Sequence, residues 1–86
     1  IVIEKVPSEL AKEVAAAVQV PVIGIGAGPH VDGQILVSHD MLGLYTRFHP
    51  RFVRRYGSVA EDMQDSFRRY KADVRSLEFP NSDESY

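Results

Sequence analysis

The sequence predicts an α/β fold built on parallel strands, and three observations carry that expectation. Val20 to Ile25 is apolar and β-branched without the alternation of a strand that has one wet face, which suits a strand covered on both sides. Strand-like and helix-like stretches alternate along the chain, and the short connections between them favour a parallel arrangement. Between two of the strands lies Gly24-Ile25-Gly26-Ala27-Gly28, where glycines at alternate positions permit positive φ and close backbone approach.

The elements follow in order. Ile1-Val2-Ile3-Glu4 reads as the end of a strand carrying one acid, and Lys5-Val6-Pro7 as a short turn. Ser8 suits the N-cap of a helix to about Val18, with Leu10, Val14 and Val18 on one face and alanines between them. After the glycine turn, Pro29 biases the chain towards extended structure, and a second buried strand is expected from Gln34 to about His39, ending in Asp40-Met41-Leu42-Gly43. Pro50 suits the first turn of a helix through Phe52, Val53 and Tyr56 to a stop at Gly57. Ser58 and Glu61 have the spacing of a capping box. The last helix then carries Val59, Met63, Phe67, Tyr70, Val74 and Leu77 as a single apolar stripe, with Asp65, Arg68, Arg69 and Asp73 on the opposite face. From Phe79 to Tyr86 no period remains, and the segment reads as a tail.

Composition bounds the function. Ten basic against twelve acidic residues leave a formal net charge of −2, so no global basic field favours nucleic acid. Without cysteine there is neither a disulfide framework nor a thiolate metal site. No apolar run reaches the roughly 18–20 residues of a membrane span, and no signal-peptide pattern is present. An 86-residue chain buries a modest core, yet it holds strands that want cover on both faces. It also opens inside a strand-like run. The expectation is a fragment of a larger domain.

Two architectures compete for the glycine turn. A doubly wound nucleotide-binding sheet requires G-x-G-x-x-G running straight into a helix, whereas here Gly24, Gly26 and Gly28 are evenly spaced and Pro29 and another strand follow. That mismatch moves weight to a barrel, whose active sites gather on the loops after the strands.

A resemblance then enters. I-V-I-E ending at Glu4, Val6-Pro7 opening Ser8-Glu9-Leu10-Ala11, P-V-I-G-I-G-A-G-P from Pro21, D-G-Q-I-L-V from Asp32, H-D-M-L-G from His39 and P-R-F-V-R-R-Y from Pro50 stand in this order. Together with Phe79-Pro80 and Ser85-Tyr86 they resemble the C-terminal part of the ketopantoate hydroxymethyltransferase family over essentially the whole chain. The departure is Asp83-Glu84, where a glutamate-histidine pair is usual.

The resemblance implies that residues 1–86 are the C-terminal third of a (β/α)8 TIM barrel, with a C-terminal helix after the last barrel unit. It implies hydroxymethyl transfer from methylene-tetrahydrofolate to 3-methyl-2-oxobutanoate, giving 2-dehydropantoate on the route to pantothenate and coenzyme A. Mg2+ would hold the keto acid, with its ligands and the substrate-binding lysine upstream of this segment, so that no metal ligand is expected here. Glu4 matches the family's base. A large homo-oligomer is implied, in bacterial cytoplasm or eukaryotic mitochondria, with no nucleic-acid or membrane partner.

Each candidate also has a plainer reading. Alone, Glu4 is a solvated strand-end carboxylate; the motif around it makes it the base. Gly24, Gly26 and Gly28 suit either a phosphate or pterin cradle or a tight barrel turn. His30 and the His39-Asp40 pair suit a metal or relay role, or simple backbone hydrogen bonding and capping. Arg51, Arg54 and Arg55 suit attraction of a folate glutamyl tail or a solvated helix face. The Met63–Leu77 stripe is core or subunit contact. Two further function classes stay open: another metal-dependent barrel enzyme of the phosphoenolpyruvate/pyruvate type, and a non-catalytic assembly fragment.

Overall fold

The computed structural model describes residues 1–86. The elements are β1 (Val2–Glu4), α1 (Ser8–Ala17), β2 (Ile23–Ile25), β3 (Gly33–Gln34), α2 (Ser38–Met41), α3 (Val59–Ser76) and a final 3-10 turn (Ser82–Glu84). The strands form one sheet in the order β1-β2-β3, parallel throughout, with Glu4 opposite Ile25 and Gly24 opposite Gln34. The α/β class and the parallel sheet expected from the sequence are present.

The β2–β3 link is unusual in its economy, because parallel neighbours ordinarily need a longer crossover. Gly26 and Gly28 take φ of +63° and +81°, which turns the chain back along the sheet within residues 26–32. Asp32 closes the return. Its amide donates to the Val22 carbonyl at 2.9 Å, and its carboxylate accepts from the Val22 amide at 2.7 Å.

The second expected strand is much shorter than Gln34–His39. Beyond Gln34 only the Ile35 amide still reaches the sheet, donating to Gly24 at 3.0 Å. β2 ends at Ile25 and its chain turns away at Gly26, so Leu36 to His39 has no β2 backbone left to pair with, and β-branched propensity alone does not hold a strand. Ser38, His39 and Asp40 lie instead in α2.

The helix expected from Pro50 to Gly57 does not form. The segment makes one turn, closed by the Val53 amide on Pro50 at 3.0 Å. Its other groups are engaged elsewhere: the Tyr56 amide donates to Met41 at 2.7 Å, and the Val53 carbonyl is bonded to the His49 ring at 2.7 Å. A segment this short cannot sustain a helix when its groups are bonded to the flanking His49 and to the more distant Met41.

Two caps also differ. Pro7, not Ser8, occupies the N-cap of α1, and Ser8 makes no capping bond. Ser58 does stand at the N-cap of α3, but the Ser58–Glu61 box is not made. The Val59 and Ala60 amides donate instead to the carbonyls of Leu42 (3.0 Å) and Gly43 (3.3 Å). Backbone from the preceding turn thereby satisfies donors that a helix start leaves open. The segment expected as a plain tail carries a capping box of its own: Asn81 Oδ1 accepts from the amides of Asp83 (2.8 Å) and Glu84 (3.2 Å), while Glu84 Oε2 accepts from the Asn81 amide at 2.9 Å.

α3 follows the expected stripe and ends at Leu77 in the left-handed conformation, φ +63°. Only seven of the 86 residues are buried, centred on Val22, Ile25, Ala27 and Ala11. The radius of gyration is 21.6 Å, against about 12 Å for a compact chain of this length. Phe67 and Tyr70 stay 65% and 57% exposed, so the stripe is not core within this chain.

Candidate active site

Because the strands are parallel, their carboxyl ends share one edge. Glu4 closes β1 there, Gly26-Ala27-Gly28 leaves β2, and Gln34 ends β3. An open depression lies along this edge, lined by Glu4, Lys5, Gly26, Gly28, Arg51 and Arg54 among others. It brings the acid, the glycine turn and two of the three arginines singled out from the sequence to one place.

The backbone around Glu4 is tightly directed. Lys5 adopts φ +51°, a conformation uncommon for a non-glycine residue, while its amide donates to the Ile25 carbonyl at 2.9 Å. The chain therefore turns sharply just past Glu4, whose exposed carboxylate makes no hydrogen bond within the chain.

The glycine turn is held on three sides. A Cβ on Gly28 would run into the Ser8 side chain at the start of α1, and one on Gly26 would stand 2.8 Å from the Phe52 ring. From the third side the Gln34 side-chain amide donates to the Gly28 carbonyl at 2.8 Å. Nothing in the local sequence signals this last contact, which depends on the fold-back of residues 26–32. The amides of Gly26 and Gly28 donate to no acceptor of the chain, whereas Gly24 lies buried within β2.

The remaining candidates separate. Arg51 and Arg54 line the depression. Arg54 lies 5.9 Å over the Tyr56 ring and its guanidinium donates to the Tyr56 hydroxyl at 3.4 Å. Arg55 leaves the group, donating to the Tyr45 carbonyl at 3.1 Å. His30 is exposed, and His39 and Asp40 share α2 with no bond between their side chains. His49, not singled out from the sequence, is the histidine with a structural bond, at Val53. No three His, Asp or Glu side chains gather as a metal-binding group.

A profile of ketopantoate hydroxymethyltransferase matches residues 1–82. The chain belongs to the ketopantoate hydroxymethyltransferase family. It is 58% identical over all 86 residues to a 3-methyl-2-oxobutanoate hydroxymethyltransferase of Christiangramia forsetii, covering 32% of that protein. It is 57% and 55% identical to proteins of the same name from Chlorobaculum parvum and Porphyromonas gingivalis, covering 31% and 32% of them. The chain thus spans about a third of the length of the curated relatives it matches. In this member of the ketopantoate hydroxymethyltransferase family no helix is long and apolar enough to cross a membrane.

Proposed function

We propose that residues 1–86 are the C-terminal third of a (β/α)8 barrel and that the whole protein is a hydroxymethyltransferase. It moves a hydroxymethyl group from methylene-tetrahydrofolate to 3-methyl-2-oxobutanoate, giving 2-dehydropantoate. The observation that carries this reading is the position of Glu4 at the carboxyl edge of a parallel sheet, beside the glycine turn, where barrel enzymes build their sites. The names of the relatives and the small core support the same reading.

On this reading Glu4 takes the C3 proton of 3-methyl-2-oxobutanoate. The electron pair of the broken C–H bond forms the C2=C3 double bond as the carbonyl π pair moves onto the oxygen, and C3 of the enolate then attacks the one-carbon unit. The bond from that carbon to the folate nitrogen breaks and water supplies the hydroxyl, so that methylene-tetrahydrofolate, 3-methyl-2-oxobutanoate and water give 2-dehydropantoate and tetrahydrofolate. The amides of Gly26 and Gly28 offer donors to an oxygen or anion at the same edge. Mg2+, expected from the resemblance, has no fitting donor set among these residues; its ligands then belong to the remainder of the protein.

The same reading makes the protein a homo-oligomer with the α3 stripe against another subunit, in keeping with the exposure of Phe67 and Tyr70, and places it in the cytoplasm of a bacterium, as its relatives are bacterial.

The test is exchange of the C3 proton of 3-methyl-2-oxobutanoate into deuterated water with magnesium, by the full-length protein and its Glu4→Gln variant. The expected result is exchange by the parent and a loss of about a hundredfold or more in the variant, the scale of a general base. Equal exchange by both rejects Glu4 as the base. No exchange by the parent rejects the reaction.

A further inference from the structure

We propose that Arg51 and Arg54 form an anion-binding wall that takes the carboxylates of the one-carbon donor's glutamyl tail, an inference that rests on the reaction proposed above. The charge of the depression is opposite to that of the chain. A chain of net charge −2 places Lys5, Arg51 and Arg54 against the single acid Glu4 along this edge. The two ion pairs of the structure, Lys12–Glu9 and Arg69–Asp65, lie elsewhere. None of the three cations is engaged in an ion pair within these residues, and they outnumber the one acid beside them.

The wall is also held in shape. His49 bonds the Val53 carbonyl, Val53 is buried at 6% exposure, and the Tyr56 amide is fixed to Met41. Between those anchors the Tyr56 ring and hydroxyl brace the Arg54 guanidinium. A braced guanidinium fork loses less freedom when it grips a carboxylate than a free side chain does. Phe48, Phe52 and Tyr56 beside it give the same wall an apolar, aromatic surface. A ligand with an aromatic body and a carboxylate tail fits that mixture better than a small keto acid, which has one carboxylate and little apolar surface. Arg55, committed to the Tyr45 carbonyl, has no part in the wall.

The experiment uses the full-length protein and its Arg51→Gln, Arg54→Gln, Arg54→Lys and Arg55→Gln variants. KM is measured for methylene-tetrahydrofolate bearing one or several γ-linked glutamates, KM for 3-methyl-2-oxobutanoate is measured alongside, and C3 proton exchange is followed without folate. Loss of one charged hydrogen bond predicts that donor KM rises about tenfold or more for Arg51→Gln and Arg54→Gln. The rise is larger for the polyglutamate than for the monoglutamate and shrinks at high salt. Arg54→Lys recovers part of it, and Arg55→Gln, outside the wall, matches the parent in donor KM and in proton exchange. Unchanged donor KM, or an equal rise for both donors, overturns the proposal. A rise confined to 3-methyl-2-oxobutanoate overturns it too, by assigning the wall to the keto acid. A parent that exchanges the proton but transfers nothing overturns the proposal together with the transfer reaction, whereas variant-specific results with an active parent bear on the wall alone.

Discussion

The Gln34 side-chain amide donates to the Gly28 carbonyl at 2.8 Å, tying the end of β3 to the turn that leaves β2. Two strands of the same sheet thereby hold one loop at the carboxyl edge, on the far side of which Ser8 packs against Gly28. Ser8 and Phe52 pack the loop and Ala27 is buried within it, and this bond is the side-chain hydrogen bond to its backbone.

Removing the donor tests that role. Gln34→Met keeps the length and loses the hydrogen bond, and is expected to cost about 1 kcal/mol. Gln34→Glu sets a carboxylate against the carbonyl and is expected to cost more. Urea midpoints of the full-length variants order the two, and faster amide exchange at residues 26–28 locates the effect.

Gly28→Ala combines two penalties. At φ +81° an L side chain costs about 1–2 kcal/mol, and overpacking against Ser8 adds about 1–3 kcal/mol. A total of about 2–5 kcal/mol is expected, and Ser8→Gly in the same chain should recover part of it in a double-mutant cycle. Gly33→Ala supplies the contrast: its new Cβ meets only the tip of Ile23, at 2.8 Å, and thermal unfolding should register a much smaller loss.

Lys5 is the residue whose backbone carries strain beside Glu4. Lys5→Val places a β-branched side chain at φ +51°, and a loss of at least about 1 kcal/mol is expected. In Lys5→Gly, relief of the strain offsets the greater freedom of the unfolded chain, and the midpoint should move little. A Lys5→Val midpoint equal to that of Lys5→Gly would show that the turn is not held in this conformation.

The exposed stripe of α3 makes a prediction about assembly. Phe67, 65% exposed here, lies at its centre. Phe67→Asp is expected to lower the oligomeric state of the full-length protein in light scattering after size exclusion. An unchanged mass with lowered stability would place the stripe against another part of its own chain instead.

What was legible in the sequence is what depends on neighbours along the chain. The apolar run at Val20–Ile25 announced a parallel strand, which forms over Ile23–Ile25, while Val20 lies outside it and stays half exposed. The alternation of short elements announced the sheet, the three-and-four spacing from Val59 to Leu77 announced α3, and the I-V-I-E motif put Glu4 at a strand end. The tertiary structure decided whatever depends on which backbone groups find distant partners. Residues 50–57 do not form a helix because Met41 and His49 claim their hydrogen bonds. Ser58 is relieved of capping by Leu42 and Gly43, and the strand begun at Gly33 stops after Gln34 because its neighbour β2 ends at Ile25 and turns away at Gly26. Arg51, Arg54 and Arg55 look alike in sequence. Only the fold turns the first two to the depression and the third to Tyr45, since a side chain's direction follows from the path of a segment whose hydrogen bonds are made across the chain.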